Sequence, residues 1–145
     1  MTILEAVKTG WGWTGIAPAA ITAISPFGHL IVRDDAGAFW YLDPEVRTLE
    51  TVGRDEPELL AHMNQLEVRD TWQANVLAAA ALERLGVPGE GQCYSLTPLA
   101  LLKGDYAHEN LCILPVVELT IFSGDVERQT RDLPPGSAIN IKVTE

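Results

Sequence analysis

Residues 27–53, FGHLIVRDDAGAFWYLDPEVRTLETVG, decide the fold class. HLIVR and AFWYL are short runs rich in β-branched and aromatic residues, and DDAG between them has the Asp and Gly that a hairpin turn needs. DPE makes the next corner, and RTLETV alternates polar and apolar positions. The stretch therefore reads as three antiparallel strands in a meander. Alternation along the middle strand sends Trp40 to one face and Phe39 and Tyr41 to the other.

Upstream, ILEAVKTGWGW begins as a short amphipathic segment that the glycines at 10 and 12 break. Trp11 and Trp13 read as hydrophobic anchors for this N-terminal arm. APAAITAI reads as a helix opened by Pro18, a residue tolerated in a first turn, and Pro26 ends it.

Downstream, DEPELLAHMNQLEVRDTWQANVLAAAALERLG is helical in pattern. Asp55 suits an N-cap, with Pro57 and Glu58 in the first turn. A second helix starts near Asp70. Trp72, Val76, Ala79, Ala80 and Glu83 recur along it at spacings of three and four, and Gly86 caps its end. CYSLTPLALL reads as a strand that Pro98 interrupts, and LCILPVVELTIF as a further strand. SGDVERQTRDL suits a short helix, and PPGSAINIKV a turn with a closing strand. No β-α-β alternation appears and strands outnumber helices. The expected class is α+β, a mostly antiparallel sheet packed with two or more helices, in one domain over residues 1–145.

The 145-residue length fits one domain, and 47% hydrophobic residues suffice for a single core. No apolar run is long enough to cross a membrane. The N-terminus, with Glu5 and no long apolar stretch, does not read as a signal peptide, so the expected location is the cytoplasm. The net charge of −10 disfavours direct contact with nucleic acid phosphates and favours encounter with a basic partner.

The chemistry-bearing residues do not assemble into a known catalytic motif. His29, His62 and His108 lack ligand spacing, so no metal is expected. No nucleophile elbow, phosphate loop or dinucleotide fingerprint is present, and no cofactor is expected. Cys93 and Cys112 each sit in an apolar run and read as buried thiols. Asp105, His108 and Glu109 cluster in the loop KGDYAHEN, where they could act as an acid–base group. The alternative is structural: Gly104 supplies a turn, Asp105 and Asn110 bond backbone amides, and Tyr106 plugs the core.

Asp34, Asp35, Asp43, Glu45 and Glu50 gather in the meander beside Trp40 and Tyr41. An exposed aromatic ringed by acids would suit a basic protein partner. The competing reading is a solvated acidic face over a buried tryptophan.

The order of motifs resembles the bacterial family that forms the C-terminal domain of type VI secretion immunity proteins. Gly91, Cys93 and Tyr94 correspond to its G-x-C-Y segment. Gly104, Tyr106 and Asn110 correspond to its small-residue and tyrosine loop, and Gln129, Asp132, Leu133, Pro134 and Gly136 to its Q-x-x-D-L-P-x-G turn. The hairpin with its aromatic and proline, and the helix TWQANVLAAAALERLG, are also similar, so the resemblance runs roughly from residue 11 to 143. This chain departs from the family where Lys103 precedes Gly104 and where Pro135 replaces a second acid. The resemblance implies a cytoplasmic, non-enzymatic antidote that binds a secreted DNase toxin, a basic protein since it must grip DNA. It transfers no binding residues, because such a surface must vary with the toxin. The runner-up function is a small-molecule or regulatory binding domain with a pocket near Tyr94, Tyr106 and Asn110.

Overall fold

A computed structural model describes residues 1–132. The expected closing turn and strand at 134–143 lie outside the described residues.

The meander stands as expected, with one strand more. Strands β1 (Pro18–Ile24), β2 (Leu30–Asp34), β3 (Phe39–Asp43) and β4 (Thr48–Gly53) form an antiparallel sheet in sequence order. Leu30 pairs with Leu42 and Val32 with Trp40, and Tyr41 pairs with Glu50 across the next ladder. The helix expected over APAAITAI is β1. Its alanines are good helix formers, but intrinsic preference is a weak force, and pairing with β2 over five registered positions overrides it. Pro18 is the first residue of an edge strand, where a missing N–H does no harm.

The remaining elements are α1 (Ile3–Trp11), α2 (Glu56–Met63), α3 (Leu66–Gln73), α4 (Asn75–Leu85), β5 (Gln92–Leu96), α5 (Pro98–Lys103), β6 (Leu111–Pro115) and α6 (Val116–Thr130). Strands β5 and β6 make a second antiparallel pair. The class is α+β, as the pattern implied, but helix outweighs strand: nearly half of the described residues are helical and a quarter are strand.

Three boundaries explain the shift. LCILPVVELTIF is not one strand; Pro115 ends β6 and stands at the N-cap of α6, which absorbs the short helix expected after it. Pro98 opens α5, converting the second half of CYSLTPLALL to helix. The long helix expected from Asp70 is two, because Ala74 takes a left-handed φ of 44° between α3 and α4. Asp55 caps α2 as anticipated, its carboxylate accepting the Glu58 N–H at 2.9 Å.

The core lies between one face of the meander, α1, α6 and the β5–β6 pair. Val7, Trp11, Leu30, Val32, Leu42, Leu96, Val116 and Leu119 are all buried there. Helix α1 runs through Gly10 rather than breaking at it, and Gly10 is needed for close approach. It faces Gly124 of α6, and a Cβ on Gly124 would overlap the Gly10 carbonyl. Trp11 donates its indole N–H to the Thr120 carbonyl at 3.2 Å, and Trp13 to those of Gly10 and Gly124, so both anchors hold α1 against α6.

Candidate functional site

The acids of the meander divide into those the fold uses and those it leaves free. Asp34 closes the β2–β3 hairpin. One carboxylate oxygen accepts the N–H groups of Ala36 and Ala38 at 3.0 and 2.9 Å, and the other accepts the Trp40 indole N–H at 2.9 Å. The indole first, and then the turn amides, hold its carboxyl below the usual carboxylate range. Trp40 is half-buried against the core, and its polar edge belongs to Asp34. Asp35, at the hairpin tip, and Glu50, on the edge strand β4, remain exposed.

Asp43 and Glu45 serve a buried polar cluster around His29. Asp43 is buried and accepts the backbone N–H groups of Glu45 and Val46, which fixes the corner after β3. That corner aims Glu45 at His29, itself only 1% exposed. His29 Nε2 lies 2.9 Å from Glu45 Oε1 and 3.5 Å from Asp43 Oδ1, while Nδ1 lies 2.7 Å from the Tyr41 hydroxyl. In the neutral imidazole, Nε2–H donates to Glu45 and Nδ1 accepts the Tyr41 proton. The second Glu45 oxygen accepts the Tyr106 hydroxyl at 3.0 Å. Both ring nitrogens of His29 and both carboxylate oxygens of Glu45 therefore have partners, as burial demands.

Burial, and then the nearby Asp43 and Glu45 charges, push the Tyr41 hydroxyl well above its usual range. Burial, and then the charge and hydrogen bond of Glu45 with the Asp43 charge behind them, push Tyr106 up to about 12. Both phenols are held as proton donors, the opposite of what activation as a nucleophile requires. The cluster orients its members and ties the loop at 106 to the meander. His29 and Tyr106 had no visible link in sequence, since 16 and 61 residues separate them from Glu45.

The other polar candidates find separate partners. Asp105 accepts the Ala107 N–H in a local turn, and the Asn110 side chain donates to the Asp105 carbonyl. His108 and Glu109 are exposed on a short 3-10 turn, and Gly104 supplies the left-handed residue that ends α5, at φ 66°. Tyr94 is buried, with its hydroxyl on the Gly86 carbonyl at 2.6 Å. The hydroxyls of Tyr94 and Tyr106 therefore go to different places, and the Asn110 amide to a third. Cys93 is buried and Cys112 half-buried, both free thiols, on the paired strands β5 and β6. Burial chiefly pushes the Cys93 thiol up to about 12 and raises that of Cys112. Among the described residues no cluster of three or more His, Cys, Asp or Glu side chains could hold a metal ion. No described helix is long and apolar enough to cross a membrane.

The second face of the meander carries Ile31, Phe39 and Tyr41, roofed by α2 and α3. Trp72 of α3 meets the Tyr41 ring edge to face, with centroids 5.6 Å apart. Beside this contact the roof is incomplete, leaving an open cavity of about 430 Å³. Helical periodicity singled out Trp72 as one position of a repeating face, but only the packing shows that its ring meets the sheet.

Residues 54–127, just over half of the chain, match the family model described as T6SS immunity protein Tdi1, C-terminal. The matched span runs from just before α2 into α6; the meander and residues 128–145 fall outside it. A search of the curated proteins returns no match.

Proposed function

Because the chain belongs to the type VI secretion immunity family matched by residues 54–127, we propose that it is a non-enzymatic antidote that binds a basic nuclease toxin in the cytoplasm and blocks it. Family membership carries this reading. The charge supports the choice of partner: a nuclease must present cations to DNA phosphates, and a protein of net charge −10 can occupy the same surface. The phenols held as donors around His29 are consistent with an ordering role for that cluster rather than a catalytic one.

The partner surface in this reading is the meander with Asp34, Asp35, Asp43, Glu45, Glu50, Trp40 and Tyr41. Asp35 and Glu50 present free charge, whereas Asp34, Asp43 and Glu45 add to the field while holding the fold. The test is the association rate of the purified chain with the nuclease toxin encoded beside its gene, at two ionic strengths. Asp35→Lys with Glu50→Lys should slow association severalfold at low salt and less at high salt, where screening shortens the reach of charge. An unchanged low-salt rate removes this patch. Absence of any binding by the unaltered chain sinks the reading itself.

A further inference from the structure

We propose that the groove between α2–α3 and the outer face of the meander is the seat for an apolar side chain of a basic partner. This rests on the reading of the chain as an antidote to a basic toxin and adds apolar area to the acidic patch beyond what the half-buried Trp40 and Tyr41 expose. Trp40 and Tyr41 are spoken for: Trp40 packs toward the core and bonds Asp34, and Tyr41 bonds His29 and meets Trp72. The accessible apolar surface on this side is at the cavity of about 430 Å³, where exposed Leu60 and half-buried Leu59, Met63 and Trp72 stand over a floor of buried Ile31 and Phe39.

Two observations fix the chemistry of the occupant. Helices α2 and α3 roof the groove without burying any residue fully, and Leu60 at its mouth is 61% exposed. A large side chain seated there would remove apolar surface from water at the centre of a contact, the arrangement that concentrates binding energy. Around it the charge is one-sided. Residues 33–73 hold ten acids against four arginines, a net −6 of the chain's −10. Glu56 lines the groove, and Phe39, also in its wall, starts the strand that leaves the Asp34–Asp35 hairpin. Arg54 is already engaged by Glu58 at 2.8 Å. A leucine, methionine or aromatic residue flanked by lysine or arginine fits this site; one flanked by acids does not.

The experiment measures equilibrium affinity and dissociation rate for the same purified toxin. Leu60→Ser should weaken binding by about tenfold or more, mainly through faster dissociation. Val76→Ser, at a residue 80% exposed on α4 and outside the groove, should leave binding unchanged. Glu56→Lys should slow association at low salt, and all three variants should unfold at the temperature of the unaltered chain. Unchanged affinity for Leu60→Ser, or equal losses for Leu60→Ser and Val76→Ser, overturns the groove. If that happens while Asp35→Lys with Glu50→Lys still slows association, only the groove fails and the antidote reading stands. If the unaltered chain does not bind, both fall together.

Discussion

Tyr106 and Glu45 stand 61 residues apart in sequence and 3.0 Å apart in space, and the same carboxylate accepts from the buried His29. One side chain thus joins the loop after α5 to the corner after β3. Removing it strands two donors, one of them fully enclosed. Glu45→Ala should lower unfolding free energy by about 2–4 kcal/mol, and Tyr106→Phe by about 1 kcal/mol. Urea unfolding of the two single variants and the double variant measures this. The pair should be non-additive, and additive losses would mean that the hydroxyl and carboxylate act independently.

Alkaline titration should report the same cluster. A phenol whose folded pKa is raised stabilises the fold fully below the free value near 10 and loses that contribution as pH climbs through the folded value. For Tyr106 the window runs from about 10 to about 12, and Tyr41 extends it upward. Tyrosinate absorbance should therefore lag behind that of the unfolded chain. Titration of Tyr41 and Tyr106 at the free value would contradict the geometry.

Asp34 gives the acid counterpart. Its folded pKa is depressed, so its contribution is present above the unfolded value near 3.9 and is lost as pH falls below it. Asp34→Lys removes the acceptor for two turn amides and the Trp40 indole and should destabilise by about 1–3 kcal/mol. Asp35→Lys, at the exposed neighbour, should cost less than about 0.5 kcal/mol. Thermal unfolding compares them directly, and equal costs would mean that the hairpin contacts contribute little.

The crossing of α1 and α6 leaves no room for a side chain. Gly124→Ala forces a Cβ into the Gly10 carbonyl, and either helix must move. The expected loss is about 3 kcal/mol or more, read as a lowered melting temperature. Gly12→Ala, where a Cβ meets open space, is the matched control and should be near neutral.

In the loop 104–110 the glycine matters and the histidine does not. Gly104→Val, at φ 66°, should destabilise by about 1–3 kcal/mol, while exposed His108→Ala should change stability by less than about 0.5 kcal/mol. A loss of toxin binding by folded His108→Ala would assign that loop a direct role.

The meander was legible because its turns carry their own chemistry: Asp and Gly at the hairpin, Pro44 at the corner, and period-two alternation between them. The misread segments are short runs in which local preference is weak and partners decide. APAAITAI is a strand only because β2 lies beside it. LCILPVVELTIF has strand composition throughout, yet its second half is the helix that meets α1. The site divided along the same line. The acids could be located on the meander from sequence, but which of them the fold consumes depended on His29, Trp40 and Tyr106, and those contacts are tertiary.

The family match begins at residue 54, after the last meander strand, and that border is not a seam in the packing. Leu96, Val116 and Leu119 lie on one side of it and Val7, Trp11, Leu30 and Leu42 on the other, all within one core. Severing the chain there would strip the β5–β6 pair and α6 of the wall they lean on and leave a wide greasy surface facing water. A fragment starting at 54 should clump or stay molten on its own, and regain shape only when the missing first third is supplied as a separate peptide. The portion recognised by descent is thus half of a jointly built object, and its history of inheritance need not coincide with its unit of folding.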